Sequence, residues 1–234
     1  GGSDIGGGIT RGLAEAGASI ACVYGHHEPT EMRQYIESIG GEFLAIHADV
    51  SDMKALPVIM EKTLEHYGRL DILVNNAGIC PRCSALEYTE EMWDQIIQLN
   101  QKSVFFLSQL AARQFVKQKS RGKMASMMSF LGGFNTAAYT ASKSAVAGLT
   151  RVCASEWGAL GINVNALAPG WIKTGLSAAL VADTARYESV KARIPMGDWG
   201  EPDVFKGVAV LLASSASDYI NGAIIPVDGG YLTK

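Results

Sequence analysis

Tyr139-Thr140-Ala141-Ser142-Lys143 is the segment of this 234-residue chain whose residue types and spacing point most directly to chemistry. It falls in a helical pattern, and a four-residue spacing stacks the phenol and the ammonium on one helix face. An ammonium beside a phenol stabilises phenolate and lowers its pKa from about 10, as a general acid/base working near neutral pH requires. Such pairs also arise by chance on helix surfaces, so the neighbours decide. Ser126 stands thirteen residues before Tyr139, at the end of a strand pattern. There its hydroxyl could hold the substrate oxygen that Tyr139 protonates. Ser129 competes for that role, and strand-end position favours Ser126.

A second group of residues suits a dinucleotide. Gly1-Gly2-Ser3-Asp4-Ile5-Gly6, followed by the helical Gly8-Ile9-Thr10-Arg11-Gly12, puts small residues where a backbone must approach a pyrophosphate at a helix N-terminus. At the end of the next strand a carboxylate would hold the adenosine ribose, but this chain has Tyr24-Gly25-His26-His27. Asp4 would repel a 2′-phosphate and only His26 or His27 could meet one, so the balance leans to NAD without excluding NADP. Asn75-Asn76-Ala77-Gly78 and Pro169-Gly170, with Thr174 close behind, end strands at the edge where such sheets bind ligands; each also reads as a plain turn. Asn100, midway along a helical pattern, reads as a surface residue or as a local break holding a proton-relay water. Cys80-Pro81-Arg82-Cys83 has redox-motif spacing but no helix start after it, which argues against redox or metal chemistry.

The elements that must position these residues alternate. Strand patterns at 19–24, 42–45, 71–74, 123–127, 163–168 and 223–227 are separated by helical patterns at 8–16, 31–39, 54–67, 91–117, 138–157 and 203–213. That order predicts an α/β, Rossmann-type, doubly wound parallel sheet between two helical layers, as a single domain over 1–234. Residues 177–200 depart from the alternation and suit a lid over the substrate. The glycine loop opens the chain with no strand before it, so either a first strand lies upstream or the sheet lacks a central strand. The strand pattern before Ser126 is also about three residues short.

Taken together and in this order, the glycine loop, Asn75-Asn76-Ala77-Gly78, Asn100, Ser126, Tyr139-x-x-x-Lys143 and Pro169-Gly170 resemble the short-chain dehydrogenase/reductase family over essentially the whole chain. The resemblance implies Tyr139 as acid/base, Lys143 lowering its pKa and holding the nicotinamide ribose, Ser126 orienting the carbonyl, and Asn100 anchoring a water relay. It further implies a cofactor site of Gly2, Ser3, Asp4, Ile5, Gly6, Tyr24, Asp49, Val50, Asn76, Ala77, Gly78, Tyr139, Lys143, Pro169, Gly170, Ile172 and Thr174, and a homotetramer. Asp4 departs from the family pattern, which usually has glycine there. Segments 28–31, 126–130, 194–200 and 213–222 resemble members that act on 2-keto-3-deoxygluconate and 2-deoxygluconate, which implies a sugar acid as substrate. Its carboxylate needs a cation, for which Arg82 is the first candidate and Arg193 the second.

Composition narrows the alternatives. A net charge of -3 with no cationic run disfavours nucleic acid. The longest apolar stretches fall far short of the roughly 20 residues of a membrane span, and no signal peptide opens the chain, so a cytoplasmic protein is expected. Four cysteines are too few for a disulfide framework in a domain with its own core. Two other functions fit less well. A carbonyl or 3-oxoacyl reductase would want clustered cations at its mouth. A non-catalytic NAD(P) sensor would have no use for serine, tyrosine and lysine together.

Overall fold

The computed structural model describes Gly2, residues 4–130 and residues 133–233; Ser3, assigned above to the cofactor site, lies outside them. The chain alternates α1 (Asp4–Glu15), β1 (Ile20–Tyr24), α2 (Thr30–Ser38), β2 (Phe43–His47), α3 (Ala55–Tyr67), β3 (Ile72–Asn75), α4 (Glu90–Ile97), α5 (Ser103–Lys117), β4 (Gly122–Met127), α6 (Ala137–Trp157) and β5 (Ile162–Pro169). Two short helices, α7 (Ala178–Ala182) and α8 (Thr184–Lys191), precede α9 (Lys206–Ala213) and β6 (Ile224–Val227). All strand pairings are parallel, and the short apolar strands carry helices on both faces, as parallel sheets require. Each strand lies within two residues of its sequence pattern.

Among the described residues β1 pairs with β2, and β3, β4, β5 and β6 form a second ladder in that order. Among the described residues no ladder joins β1 to β3; their edges border a cavity of about 1880 Å³. Helices hold the halves together. Ile9 and Leu13 of α1 share one apolar cluster with Ile20 and Cys22 of β1 and Ala125 and Met127 of β4. Across the sheet, Ile59 and Met60 of α3 join Ile46 of β2 with Leu73 of β3 and Leu107 of α5.

Three helical patterns differ from expectation. α1 starts at Asp4, four residues before the pattern. Its glycines serve packing: a Cβ on Gly8 would lie 2.0 Å from Pro202 O, and one on Gly12 2.7 Å from Lys206 Cα. The pattern at 91–117 is two α-helices joined by a π turn, Gln98–Lys102. The pattern at 203–213 opens on a 3₁₀ turn, Pro202–Phe205. The segment at 177–200 folds onto an aromatic cluster in which Tyr187 stacks on Trp199 at 5.3 Å and Trp171 lies 5.1 Å from Trp199. No described helix is long and apolar enough to cross a membrane. Among the described residues no group of three His, Cys, Asp or Glu could hold a metal ion. The four cysteines are unpaired.

Candidate active site

The π turn puts Asn100 fully inside the molecule, at 0% exposure. Its Oδ1 accepts from Ile79 N at 2.9 Å, and its Nδ2 donates to Ile79 O at 2.9 Å and to Ser142 Oγ at 3.2 Å. One side chain thereby fastens the loop after β3 to α6, and π turns of this kind concentrate at functional sites. Three of the amide's hydrogen-bonding positions are taken by protein groups, so Asn100 clamps the loop to the helix. A Cβ on Gly78 would come 3.2 Å from Asn100 Oδ1 and 3.4 Å from Lys143 Nζ, so a larger residue there would press on both side-chain ends.

Lys143 is buried on α6, and its ammonium donates to Met127 O at 3.0 Å at the end of β4. It lies 5.8 Å from the centre of the Tyr139 ring. The expected lowering of the phenol pKa is not found. Burial, reinforced by Cys80, pushes Tyr139 up to about 12, and burial brings Lys143 down to about 8. Desolvation of both charged forms outweighs their attraction when neither has another ionic partner. Cys80, which sequence reasoning set aside as half of a redox spacing, stands between these groups: its half-buried thiol, pushed up by burial, feels both Arg82 and Lys143. Its position depends on how the loop after β3 folds, and no local signal encodes that.

Ser126 lies inside β4, opposite Asn75 on one side and Ala166 on the other, at 5% exposure. Its Oγ accepts from Asn75 Nδ2 at 3.3 Å, and the same amide donates to Ser108 Oγ of α5 at 3.0 Å. β4 ends at Met127, opposite Leu167, while β5 runs on to Pro169. The shortness read in the sequence therefore appears as a serine drawn back into the sheet. Lys123, near the start of the strand, is drawn in too, donating to Asn163, Ser217 and Asp218 at 3.1, 3.2 and 2.9 Å.

Gly2, Gly6, Tyr24, Asp49, Val50, Asn76, Ala77 and Gly78 line the cavity that opens between β1 and β3. Asp49 is held ionised by the Ser51 hydroxyl and amide, at 2.7 and 2.8 Å. Asp4 faces elsewhere: its carboxylate accepts from Gly175 N at 3.0 Å, and its backbone has φ of 50°, in the left-handed region. Ile172 is buried in the main core, so its backbone alone is available to a ligand. Gly170 packs on Asp228, whose Cα would lie 2.5 Å from an added Cβ. A dinucleotide therefore fits at its adenosine end (Tyr24, Asp49) and at its nicotinamide end (Gly78, Lys143), with one opposing charge, Asp4, at the helix N-terminus. Arg82 is exposed, and its Nη1 donates to Phe134 O at 3.3 Å, joining the loop after β3 to the loop before α6 beside Cys80. Arg193 lies 4.5 Å over the Tyr231 ring and is engaged there.

The arrangement is that of a dinucleotide-dependent oxidoreductase: Gly78 lines the trough that carries the glycine turn, and Lys143 Nζ lies against Gly78. The chain belongs to the short-chain dehydrogenase/reductase family: residues 2–232 match the family model described as enoyl-(acyl carrier protein) reductase. It is 49% identical over 233 residues to the 2-dehydro-3-deoxy-D-gluconate 5-dehydrogenase of Dickeya dadantii, covering 98% of this chain and 92% of that one. The enzyme of the same name from Escherichia coli is 46% identical with the same coverage. Among solved structures, a gluconate 5-dehydrogenase from Burkholderia cenocepacia in complex with NADP and tartrate superposes with a TM-score of 0.93 at 34% identity, covering 100% of this chain and 92% of that one.

Proposed function

We propose that the protein is an NAD(P)-dependent dehydrogenase that interconverts a secondary alcohol and a ketone on a small sugar acid of the 2-dehydro-3-deoxygluconate type. The observation that carries this is the convergence of Lys143 Nζ, Gly78 and Asn100 Oδ1 one helical turn from Tyr139. The relatives' names and the tartrate of the solved structure support the acid as substrate.

When bound, the nicotinamide cofactor supplies or accepts the hydride. The chain's own residues do the rest. In reduction Tyr139 Oη gives its proton to the oxygen formed from the ketone, and in oxidation it takes the hydroxyl proton. The Lys143 ammonium stabilises the phenolate left behind, and Asn100 keeps Gly78 and Ile79 against α6. Arg82, at the mouth, is the proposed partner of the substrate carboxylate. NAD suits the adenosine end better than NADP, because exposed imidazoles, His26 and His27, rather than an arginine or lysine follow Tyr24, and Arg33 is held by Glu28. Residues 177–200 are proposed as the lid, the protein as cytoplasmic, and the assembly as a homotetramer.

The test is nicotinamide absorbance with 2-dehydro-3-deoxygluconate, 2-deoxygluconate and a panel of neutral ketones, each with both cofactors, beside Tyr139→Phe. Turnover of the acids that is lost in the variant is expected. Turnover of neutral ketones alone would make the protein a carbonyl reductase, and cofactor binding without any turnover would make it a sensor.

A further inference from the structure

The π turn that buries Asn100 also reaches the other end of the cavity. Ser103 N donates to Gln98 O, five residues back, so the turn carries one residue more than an α-helix would. Successive helical residues point about 100° apart, so Gln98, Leu99 and Asn100 face three directions. Asn100 goes to Ile79 after β3 and to Ser142 of α6. Leu99 lines the cavity. Gln98 goes to the loop between β2 and α3, where its Nε2 donates to Ser51 O at 2.7 Å. A backbone carbonyl only accepts, so this contact fixes which end of the amide is the nitrogen.

Ser51 is the residue that shapes that loop. Its amide and hydroxyl donate to Asp49 Oδ1 at 2.8 and 2.7 Å, and Asp52 N donates to Asp49 O at 3.1 Å. These bonds fold the loop on itself. Val50 adds packing on the cluster of Ile46 and Ile59, which is attractive but not directional. The bond from Gln98 is different, because it ties the loop to a turn 47 residues further along the chain that also holds the opposite end of the site. Asp49 and Val50 line the cavity, whereas Gln98 itself does not.

We propose that Gln98 is a positioning residue for the adenosine end of the cofactor. Through Ser51 O it holds Asp49 and Val50 at a set distance from Ile79 and Ser142, which the same turn holds through Asn100, and so from Gly78 and Lys143. One turn thereby sets the spacing between the two ends of the dinucleotide. No bond is made or broken at Gln98. The inference rests on the dehydrogenase reading.

Two variants remove the donor: Gln98→Met keeps length and bulk, and Gln98→Glu keeps the shape but turns an acceptor towards Ser51 O. Dissociation constants are measured by calorimetry for ADP-ribose, its 2′-phosphate and reduced nicotinamide mononucleotide, together with the melting temperature. The ADP-ribose form that the unaltered protein prefers is expected to bind about fivefold more weakly to Gln98→Met, the cost of one such hydrogen bond, and more weakly still to Gln98→Glu. The mononucleotide, which has no adenosine, is expected to bind all three proteins alike, and the melting temperature to fall by no more than about 3 °C. Equal weakening of both ligands overturns the proposal, since general loosening of the fold touches both ends. So does unchanged ADP-ribose binding in both variants. A further measurement needs no variant: in the unaltered protein ADP-ribose is expected to slow amide exchange at 98–102 together with 49–52, and protection of 49–52 alone overturns the proposal as well. Failure of the unaltered protein to bind either ADP-ribose form or the mononucleotide would instead sink the dehydrogenase reading, and the proposal with it.

Discussion

Tyr139 and Lys143 are each brought to a pKa that water would not give them, and both shifts come chiefly from burial. The consequence for catalysis follows from Lys143. In the proposed reaction its ammonium stabilises the phenolate formed as Tyr139 gives up its proton, and with a pKa of about 8 that charge is present below pH 8 and lost above it. In the reducing direction kcat/KM is therefore expected to be level from about pH 6 and to fall through pH 8. Lys143→Arg should move the fall upward, since guanidinium stays charged. A profile flat to pH 10 would show that the ammonium has no part in the step. The same shift acts on stability. The folded value lies below the 10.5 of the unfolded chain, so the penalty is complete below pH 8 and relieved as pH rises towards 10.5. About 2.5 pKa steps correspond to roughly 3 kcal/mol, less about 1 for the bond to Met127 O. Lys143→Met should thus be more stable to urea by about 2 kcal/mol at pH 7, a gain that shrinks by pH 10, while losing activity. Tyr139 works in the opposite sense: its neutral form contributes stability that is complete below pH 10 and lost towards pH 12.

At the scale of elements, the N-terminus of α1 decides how well a pyrophosphate is received. Helix N-termini favour anions, but here Asp4 already brings a carboxylate, spends it on Gly175 N, and holds φ at 50°. Asp4→Gly removes a like charge and a left-handed backbone that glycine adopts freely. Cofactor binding is expected to tighten about tenfold, read by quenching of protein fluorescence; unchanged or weaker binding would mean that the contact to Gly175 orders the site. Much of this level was legible in the sequence. The six strands and the main helices follow from apolar runs alternating with helical spacing. The π turn was not, because Glu90 to Lys117 keeps one amphipathic rhythm through it, and only the fold of Asn100 onto Ile79 and Ser142 opens the turn. The partners of Ser126 were not legible for a similar reason. Where a strand ends follows from its neighbours, and the pairing of Asn75 with Ser126 and of Leu167 with Met127 cannot be read from residues 122–129 alone. Lys143 sits where its spacing predicts, yet its effect on Tyr139 depends on burial, which no spacing records.

At the scale of the whole molecule the described strands differ in how many neighbours they are bonded to, and that difference sets which amides should be best protected. β4 and β5 are each bonded on both sides, whereas β1 and β2 form a two-stranded ribbon, a unit marginal by itself in water. Among the described residues that ribbon packs on the rest through side chains: Ile20 and Cys22 against α1, and Ile46 against α3 and Leu107. Side-chain packing resists displacement less cooperatively than a continuous ladder, because losing it breaks no backbone bonds in the four-stranded half. The ribbon should therefore open as a local unit before the rest. Hydrogen exchange followed by mass spectrometry is expected to show amides at 20–24 and 43–47 exchanging at least about tenfold faster than those at 122–127 and 162–169, with the gap closing in mild denaturant as global unfolding takes over. Cofactor should slow the ribbon selectively, since Tyr24 and Asp49 lie at its carboxyl ends and Gly78 on the other half, so that a ligand touching all three bridges the opening. Uniform protection across both halves would show instead that α1 and α3 couple them into one cooperative unit, and the unequal bonding would then carry no cost in local stability.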